Sequence, residues 1–584
     1  MTNIENYVSS LPECYQLIYG HPELEIKTSR NCNDRLVIIE GFVQKLREEL
    51  GRPLRLLDLG CAQGFFSLNL AKYCSEVKGI DFLDKNIELC KALAEEFSFD
   101  NVEFHQDTVQ NVIQALDFDQ YDLVLGFSIF HHVCHSDGFH SAKQQINSLA
   151  NKSSALLLEL AVKEEGLYWA DSLPEKPELI LDDIAFNRIL GEFGTHLTNV
   201  TRPLFMASSK FWYIENEIQP IRFWSKESHE FSYGIHQDSR RYYWSNTKFL
   251  KIYNFYGKLS DLNKNDLNVE VANLQKFSDY KLKTIKIPNI HYYGEDHGKG
   301  YLVYDLIPGE RLSQLIANRQ AYNALNIYKK LINQLCELES INYYHNDVRV
   351  WNILVDNEDV HLIDFSSICE VKLDVVWPYN IFLSFLIFIN EVDRGKEPVS
   401  LPHRSPLFLF YWPKDMVLKV WLAKIWQTPA DEWSFSKFND YLLQAIEDVN
   451  NPGLNFVLPV LPEKNIALWL AANEALLRET AMVRDYLDDK YTHQDTLPLA
   501  NLPPTPTVDA HKQELLAIIG NQEAVHDKLL TALNAESDRV TQLTEANQQL
   551  LLQNQQQAEI IARIHSSISW FITKPLRWAK KTVR

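Results

Sequence analysis

From Leu54 onward, apolar runs of strand length alternate with stretches whose apolar residues recur every three to four positions. RLLDLG, EVKGID, VEFHQD, YDLVLGF and SALLLELA are bounded by turn-forming residues and read as five strands. FFSLNLAKYC and NIELCKALAEEF, between the first three, carry helical spacing. Strands alternating with helices predict a doubly wound, Rossmann-like α/β sheet. Residues 1–50 read as helical, with an apolar stripe over Asp34 to Leu50.

The rhythm changes around residues 210–230. RYYWSNTKFLKIYNF predicts a β-hairpin, a polar helix follows near residues 260–278, and GYLVYDL is a further strand. Helices then lead to an HND segment and two short strands, ILVD and VHLID. A small β-rich lobe before a helical lobe is the implied order, an α+β two-lobe domain. Residues 371–494 continue as amphipathic helices. DTLPLANLPPTPTVD, from residue 495, is a proline-rich linker. Beyond it Ile519, Leu533, Val540, Ile561 and Ile568 fall in one heptad column, and Leu515, Leu529, Leu543, Leu550, Ile564 and Phe571 in another. That seam predicts a C-terminal coiled coil, in which Asn547 and Asn554 would fix register at a cost in stability. The expected division is 1–210, 211–494, a linker over 495–511, a coiled coil over 512–569 and a terminal segment over 570–584.

A chain of 584 residues is too long for one core, which agrees with several domains. Its formal charge of -20 argues against sequence-independent nucleic-acid binding, which needs surplus Lys and Arg. The eight cysteines form no C-x-x-C pair and read as reduced core thiols of a cytosolic protein. MTNIENYVSS lacks the features of a signal peptide, and the apolar stretch Tyr379 to Ile389 is too short for a bilayer core of ~30 Å. It reads as a buried helix.

Chemistry gathers first in the turn Asp58-Leu59-Gly60-Cys61-Ala62-Gln63-Gly64, between a strand and a helix. Glycines there let backbone approach a ligand, and the helix N-terminus favours an anionic group. Asp81 ends the next strand, placed for a ribose diol, and Asp107 ends the third, placed for an adenine amino group. Over roughly residues 30–165 this resembles the class I S-adenosylmethionine-dependent methyltransferases: DLGCAQG matches their first motif and the acidic end of GID their second. The resemblance assigns Asp58, Gly60, Gly64, Asp81, Phe82 and Asp107 to S-adenosylmethionine. His131 and His132, beyond the fourth strand, are candidates for a base or an acceptor contact. Arg202 in VTRP is placed to neutralise an anionic acceptor, or is an ordinary surface arginine.

The second constellation is YHNDVRVWN followed by LIDFSS. Phosphoryl transfer needs a carboxylate to orient the hydroxyl nucleophile and oxygen ligands for Mg2+ on the phosphates of ATP. Asp347 suits the first role; Asn352 and Asp364 suit the second. This resembles the protein-kinase-like fold, nearer its small-molecule and saccharide kinases because HND replaces HRD. The family's strand lysine maps to Lys251, with Lys248 the alternative, and its helix glutamate to Glu270. Tyr304 to Ile307, including Asp305, would form the adenine hinge, and Arg349 is assigned to the acceptor. No Gly-rich phosphate loop precedes Lys251, so His236, Arg240 and Arg241 are candidates for the nucleotide phosphates. Ser366 replaces the glycine of the usual DFG; it is expected to restrict the loop without touching the metal ligand.

The end of the chain pairs Trp570, Phe571 and Trp578 with Lys574, Arg577, Lys580, Lys581 and Arg584 and contains no acid. Such a segment suits an anionic membrane surface or an acidic partner.

Taken whole, the chain resembles the bifunctional chain-terminating methyltransferase–kinases of bacterial polymannose O-antigen synthesis. The segments carrying this are NYVSSLPECYQLIYGHPE, Leu157–Glu165 and YHNDVRVWN. The resemblance implies phosphorylation of the terminal mannose 3-hydroxyl of a lipid-linked polymannose, then methylation of that phosphate. It implies a homotrimer through the coiled coil and a tail that recruits the mannosyltransferase polymerase at the cytoplasmic face of the inner membrane. It also implicates Tyr15, Gln16 and Arg35 in closing over the methyl donor. Two alternatives remain at this point. One is direct methylation of a sugar hydroxyl, with the kinase fold as scaffold and His131 or His132 as base. The other is a non-catalytic scaffold, against which Asp347, Asn352 and Asp364 argue.

Overall fold

The computed structural model describes residues 3–229, 232, 236, 238–373, 381–395, 413–451, 453–468 and 470–471. The expected linker, coiled coil and basic aromatic tail lie outside them. Two compact units emerge: Met1–Lys226, Ser239–Gln275 and Pro288–Leu306 form the first, and Glu227–Asp238, Lys276–Ile287 and Ile307–Arg584 the second.

The first unit begins with helices α1 (Asn3–Ser10) and α2 (Asn33–Leu50). The irregular chain between them departs from the continuous helical reading of residues 1–50. It then runs through β1 (Leu54–Leu59), α3 (Phe65–Leu70), β2 (Cys74–Asp81), α4 (Asp84–Glu96), β3 (Val102–Gln106), α5 (Val109–Ala115), β4 (Leu123–Phe127), α6 (Phe130–Asp137), α7 (Phe139–Lys152) and β5 (Ala155–Glu159). Two antiparallel strands follow, β6 (Phe186–Gly194) and β7 (Thr201–Ser208). The sheet order is β3-β2-β1-β4-β5-β7-β6, with β1 to β5 parallel. Every residue of β4 and β5 is buried, because helices cover both faces of a parallel sheet; their sequences are therefore apolar runs rather than alternations. The strand order reverses between β1 and β4, and in such sheets ligands bind at the carboxyl edge of that reversal.

After the hairpin β8 (Phe211–Ile214) and β9 (Glu217–Pro220) comes a five-stranded sheet. It contains β10 (Phe223–Ser225), β11 (Arg240–Trp244), β12 (Lys248–Asn254), β13 (Ile290–Asp296) and β14 (Lys299–Asp305), in the order β10-β11-β12-β14-β13. Helix α8 (Ser260–Tyr280) connects β12 to β13. The predicted hairpin is β11–β12, paired from Arg240↔Tyr253 to Trp244↔Phe249. Tyr243, Leu250, Ile252, Tyr301 and Val303 of this sheet join the same apolar cluster as Phe42, Leu56 and Phe186. The Tyr243 hydroxyl donates to the Ala185 carbonyl at 2.6 Å, and Arg188 donates to Asp296 from two nitrogens. The small sheet is thus built onto the large one.

The second unit contains β15 (Glu310–Arg311), α9 (Leu312–Ala317), α10 (Ala324–Ser340), β16 (Tyr344–His345), β17 (Ile353–Asp356), β18 (Asp359–Leu362) and β19 (Ile368–Cys369). Helices α11 (Ile381–Arg394), α12 (Met416–Gln427) and α13 (Phe435–Val449) follow. α11 is the expected buried helix: each residue from Ile381 to Asn390 is inside. No helix among the described residues is long and apolar enough to cross a membrane.

Candidate active sites

The turn after β1 is held open by its own geometry. Gly60 adopts φ +73, and a Cβ there would stand 3.3 Å from Ile129 Cδ1; Gly64 adopts φ +73 against Cys90 and Phe104. Both positions favour glycine on conformation and space. Gly60 N and Cys61 N donate to the Ile80 carbonyl at 2.8 and 2.9 Å, which ties the turn to β2. At the end of β2, Asp81 accepts from Ala62 N and Leu83 N, each at 2.9 Å, and from Asn86 Nδ2 at 3.2 Å. Burial raises this carboxyl and the hydrogen bonds oppose the rise. Phe82, beside it, is 70% exposed. Asp107 is half-buried and accepts from Thr108 N and Asn111 Nδ2. Asp58 differs from the other two: it is buried, faces the Ser67 hydroxyl at 2.7 Å, and is pushed by burial up to about 7. Its contacts are those of an anchor for α3.

The N-terminal residues meet this turn. Tyr15 N and Gln16 N donate to Gln63 Oε1 at 3.1 and 2.8 Å, and Gln63 Nε2 donates to Asn86 Oδ1 at 2.8 Å. Gln16 Oε1 accepts from Phe65 N, one of the unpaired amides at the start of α3. Gln63 and Asn86 were not singled out in the sequence, although Gln63 lies inside the glycine turn.

At the carboxyl ends of β4 and β5 a second network forms. Glu159, fully buried, accepts from Arg30 Nη1 and Nη2 at 2.7 and 3.1 Å, from Arg35 Nη1 at 2.5 Å and from Ser128 Oγ at 2.6 Å. Burial would raise the Glu159 carboxyl, but Arg35 and Arg30 outweigh it and hold it low. Arg30 Nη1 also donates to the Tyr15 hydroxyl at 2.8 Å. Arg30 and Glu159 escaped the sequence reading. A charged residue closing an apolar strand at this edge was the available signal, the same one that marked Asp81.

Beyond Ile129, His131 and His132 occupy the first turn of α6, with ring centroids 4.1 Å apart. Desolvation, reinforced by His132 and Arg202, lowers His131 to about 2. His132 is also lowered, mainly by burial, and its Nδ1 meets the Tyr168 hydroxyl at 3.1 Å. Arg202 is not the surface cation of the bland reading. It is buried and donates to both carboxylate oxygens of buried Glu165, at 2.7 and 2.6 Å. The charge expected to neutralise an acceptor is already paired.

The kinase residues fall in both units. In the first, Lys251 on β12 donates to both oxygens of Glu270 on α8, at 2.6 and 2.8 Å; Lys248 instead pairs with Glu217. The Tyr253 hydroxyl adds a third donor to Glu270, which is fully buried. Asp305 accepts from Asn289 and meets His291. Arg240, proposed for nucleotide phosphates, has other partners: it is buried, with Nε on Asn263 and Nη2 on Asp266. Arg241 donates to the Asp182 carbonyl. The Arg240 guanidinium so engaged is not available to a phosphate without breaking those contacts.

In the second unit, where His236 and Ile307 also lie, the HND segment is pinned from both sides. His345 Nε2 donates to the Ile363 carbonyl at 2.9 Å, which leaves Nδ1 to accept from Asp347 N at 3.2 Å. Asn352 Nδ2 donates to Asp347 Oδ2 at 2.8 Å and to its carbonyl at 2.9 Å, and Arg349 Nε stands 3.2 Å from Asp347 Oδ1. Asp364 adopts φ +69, and its two oxygens accept from the Ser366 and Ser367 hydroxyls, each at 2.7 Å. Ser366 therefore does touch the expected metal ligand, contrary to the sequence reading. The two hydroxyls orient the carboxylate, and its oxygens are the hard donors that a magnesium ion takes.

Comparison with known proteins finds a counterpart for each domain. Residues 51–189 match the family described as Methyltransferase domain, and residues 229–374 the family described as RIO domain. An O-antigen chain terminator bifunctional methyltransferase/kinase WbdD from Escherichia coli is 33% identical over 99% of this chain and 85% of its own length. A medium-resolution structure of the bifunctional kinase-methyltransferase WbdD is 34% identical, covers 77% of this chain and 97% of its own, and superposes with a TM-score of 0.67. A further WbdD structure, with its C-terminal bundle, reaches a TM-score of 0.70 at 33% identity over 84% of this chain and 99% of its own. With a glycine turn at the reversal of a 3-2-1-4-5-7-6 sheet and an H-x-D…N…D-F set in the same polypeptide, this chain belongs to the family of O-antigen chain terminator bifunctional methyltransferase/kinases, enzymes that join a methyltransferase to a kinase.

Proposed function

We propose that this enzyme phosphorylates the 3-hydroxyl of the non-reducing terminal mannose on a lipid-linked polymannose, using ATP, and then methylates that phosphate from S-adenosylmethionine, so ending elongation. The observation that carries the order is the state of His131 and His132. A general base works best with a pKa near the operating pH. Burial drives His131 to about 2, which unsuits it to deprotonate a sugar hydroxyl, and His132 is lowered by burial too, with its Nδ1 already meeting the Tyr168 hydroxyl. A phosphate monoester arrives already ionised, and its oxygen can attack the sulfonium methyl carbon once positioned. The kinase reaction is the step that supplies this acceptor.

For that step, Asp347 orients the mannose hydroxyl and accepts its proton, with Arg349 and Asn352 fixing the carboxylate. The Lys251–Glu270 pair is held ready for the nucleotide phosphates. Asn352 and Asp364 would hold Mg2+, which supplies neutralisation of phosphate charge. The basic aromatic tail would keep the enzyme at the cytoplasmic face of the inner membrane beside the mannosyltransferase polymerase, and the heptad region would assemble a homotrimer.

Mass spectrometry of a synthetic oligomannoside incubated with ATP, Mg2+ and S-adenosylmethionine, singly and together, tests the scheme. Phosphate should appear with ATP alone, and a methyl group only when both cosubstrates are present. A methyl group on unphosphorylated oligomannoside would overturn it.

A further inference from the structure

Two buried ring nitrogens at the carboxyl edge that carries the glycine turn are satisfied by nothing among the described residues. Trp169 is 4% exposed and His131 is 4% exposed, yet Trp169 Nε1 and His131 Nδ1 have no hydrogen-bond partner among the described residues. Buried polar groups are nearly always paired, so an orphan of this kind calls for a reason. Here two occur together, with the rings 4.4 Å apart between centroids.

Their location is specific. His131 lies two residues beyond Ile129, the side chain against which Gly60 packs, and three beyond Ser128, which bonds Glu159 at the end of β5. This is the carboxyl edge at the strand reversal, where the methyl donor turn ends. Arg202 stands 5.7 Å from the Trp169 ring centroid, with its charge balanced by Glu165. Tyr168, exposed to solvent and bonded to His132, flanks Trp169 at 4.6 Å. The local groups are thus hydrogen-bond donors with little surplus charge, set between a cofactor turn and an exposed aromatic.

We infer that Trp169 Nε1–H and the His131 imidazole form the acceptor subsite of the methyltransferase, donating hydrogen bonds to the oxygens of a sugar phosphomonoester. This rests on the reading that phosphate is the methyl acceptor. Trp169 has only a donor to offer, which suits an acceptor rich in lone pairs. Neutral His131 offers a proton on one ring nitrogen and takes none from the acceptor, so the pair positions without removing a proton.

The test uses the full chain and an oligomannoside bearing a terminal phosphate, with its unphosphorylated parent as second arm. Trp169→Phe keeps the ring and deletes the N–H. It should raise KM for the phosphorylated acceptor about tenfold or more, the scale expected for a hydrogen bond to a charged group. Turnover at saturation should change by less than about twofold, and S-adenosylmethionine affinity by calorimetry should match the parent enzyme. His131→Asn, which keeps a donor, should rise less in KM than His131→Ala. Wild-type KM in Trp169→Phe, or an equal loss of methyl-donor affinity, would overturn the subsite while leaving phosphate methylation intact. Preferential methylation of the unphosphorylated parent by the unaltered enzyme would instead overturn the reading on which it rests.

Discussion

The Ser366 hydroxyl lies 2.7 Å from Asp364 Oδ1, and the Ser367 hydroxyl equally far from Oδ2, so the carboxylate assigned to magnesium is held by two side chains of its own loop. A glycine at 366 would provide no such bond. The left-handed backbone of Asp364, at φ +69, is uncommon for a residue other than glycine and needs support of this kind.

Ser366→Ala should therefore loosen the ligand rather than free it. One hydrogen bond to a charged carboxylate is worth about 1.5 kcal/mol net or more, roughly a tenfold change in an equilibrium. The Mg2+ concentration for half-maximal phosphoryl transfer should rise by about that factor, with methyl transfer to a pre-phosphorylated acceptor unaffected. An unchanged magnesium titration would show that the serine has no part in holding Asp364.

Lys251 and Glu270 invite a double-mutant cycle. Glu270 is fully buried, and Lys251→Met would leave its carboxylate with only the Tyr253 hydroxyl. Removing one member of a buried pair typically costs about 3–5 kcal/mol. Lys251→Met should lower the denaturation midpoint strongly, while Lys251→Met with Glu270→Leu should regain most of that loss. Neither variant should transfer phosphate. If the double variant were as unstable as the single one, the pair would not be the origin of the cost.

These pairs differ in how readable they were. β1 to β5 announced themselves because a parallel sheet covered on both faces needs uninterrupted apolar runs. Asp81, Asp347, Asn352 and Asp364 were visible because motifs fix their spacing. Arg30, Gln63, Glu159 and Trp169 were not, since each acts through partners distant in sequence: Arg30 reaches Glu159 across 129 positions and Gln63 reaches Gln16 across 47. Arg202 and Arg240 were legible as cations, but their carboxylate partners Glu165 and Asp266 were not, and pairing decides what a buried cation can do. Nor could local pattern reveal that the strands around Lys251 pack in the compact unit of the first sheet.

His131 makes stability depend on acid in a calculable direction. Its pKa falls from an ordinary 6.5 to about 2 on folding, chiefly through desolvation. Below pH 6.5 the unfolded chain binds a proton that the folded one refuses, so stability is complete above that pH and declines as pH falls toward 2. At about 1.36 kcal/mol per pH unit, the penalty at pH 4 is about 3 kcal/mol. Urea midpoints measured between pH 7 and pH 4 should fall less steeply in His131→Gln than in the parent protein. Parallel slopes would mean that the imidazole is protonated in the folded state.

Glu159 is the strictest test of the N-terminal closure. Among the described residues it is the one carboxylate hydrogen-bonded to both Arg30 and Arg35, and all three side chains are almost wholly inaccessible. Glu159→Gln preserves shape but leaves two guanidinium groups buried beside a neutral amide. Breaking a buried pair in this way costs about 3–5 kcal/mol, and here one anion serves two cations. Because Arg30 also holds the Tyr15 hydroxyl, and Tyr15 N is tied through Gln63 to the glycine turn, the loss should propagate to the methyl donor. Calorimetry should show weaker S-adenosylmethionine binding together with a lower unfolding midpoint, whereas Asp347→Ala should leave donor binding unchanged. Should Glu159→Gln bind the donor as tightly as the parent enzyme, Tyr15 and Gln16 do not depend on this network for their place over the turn.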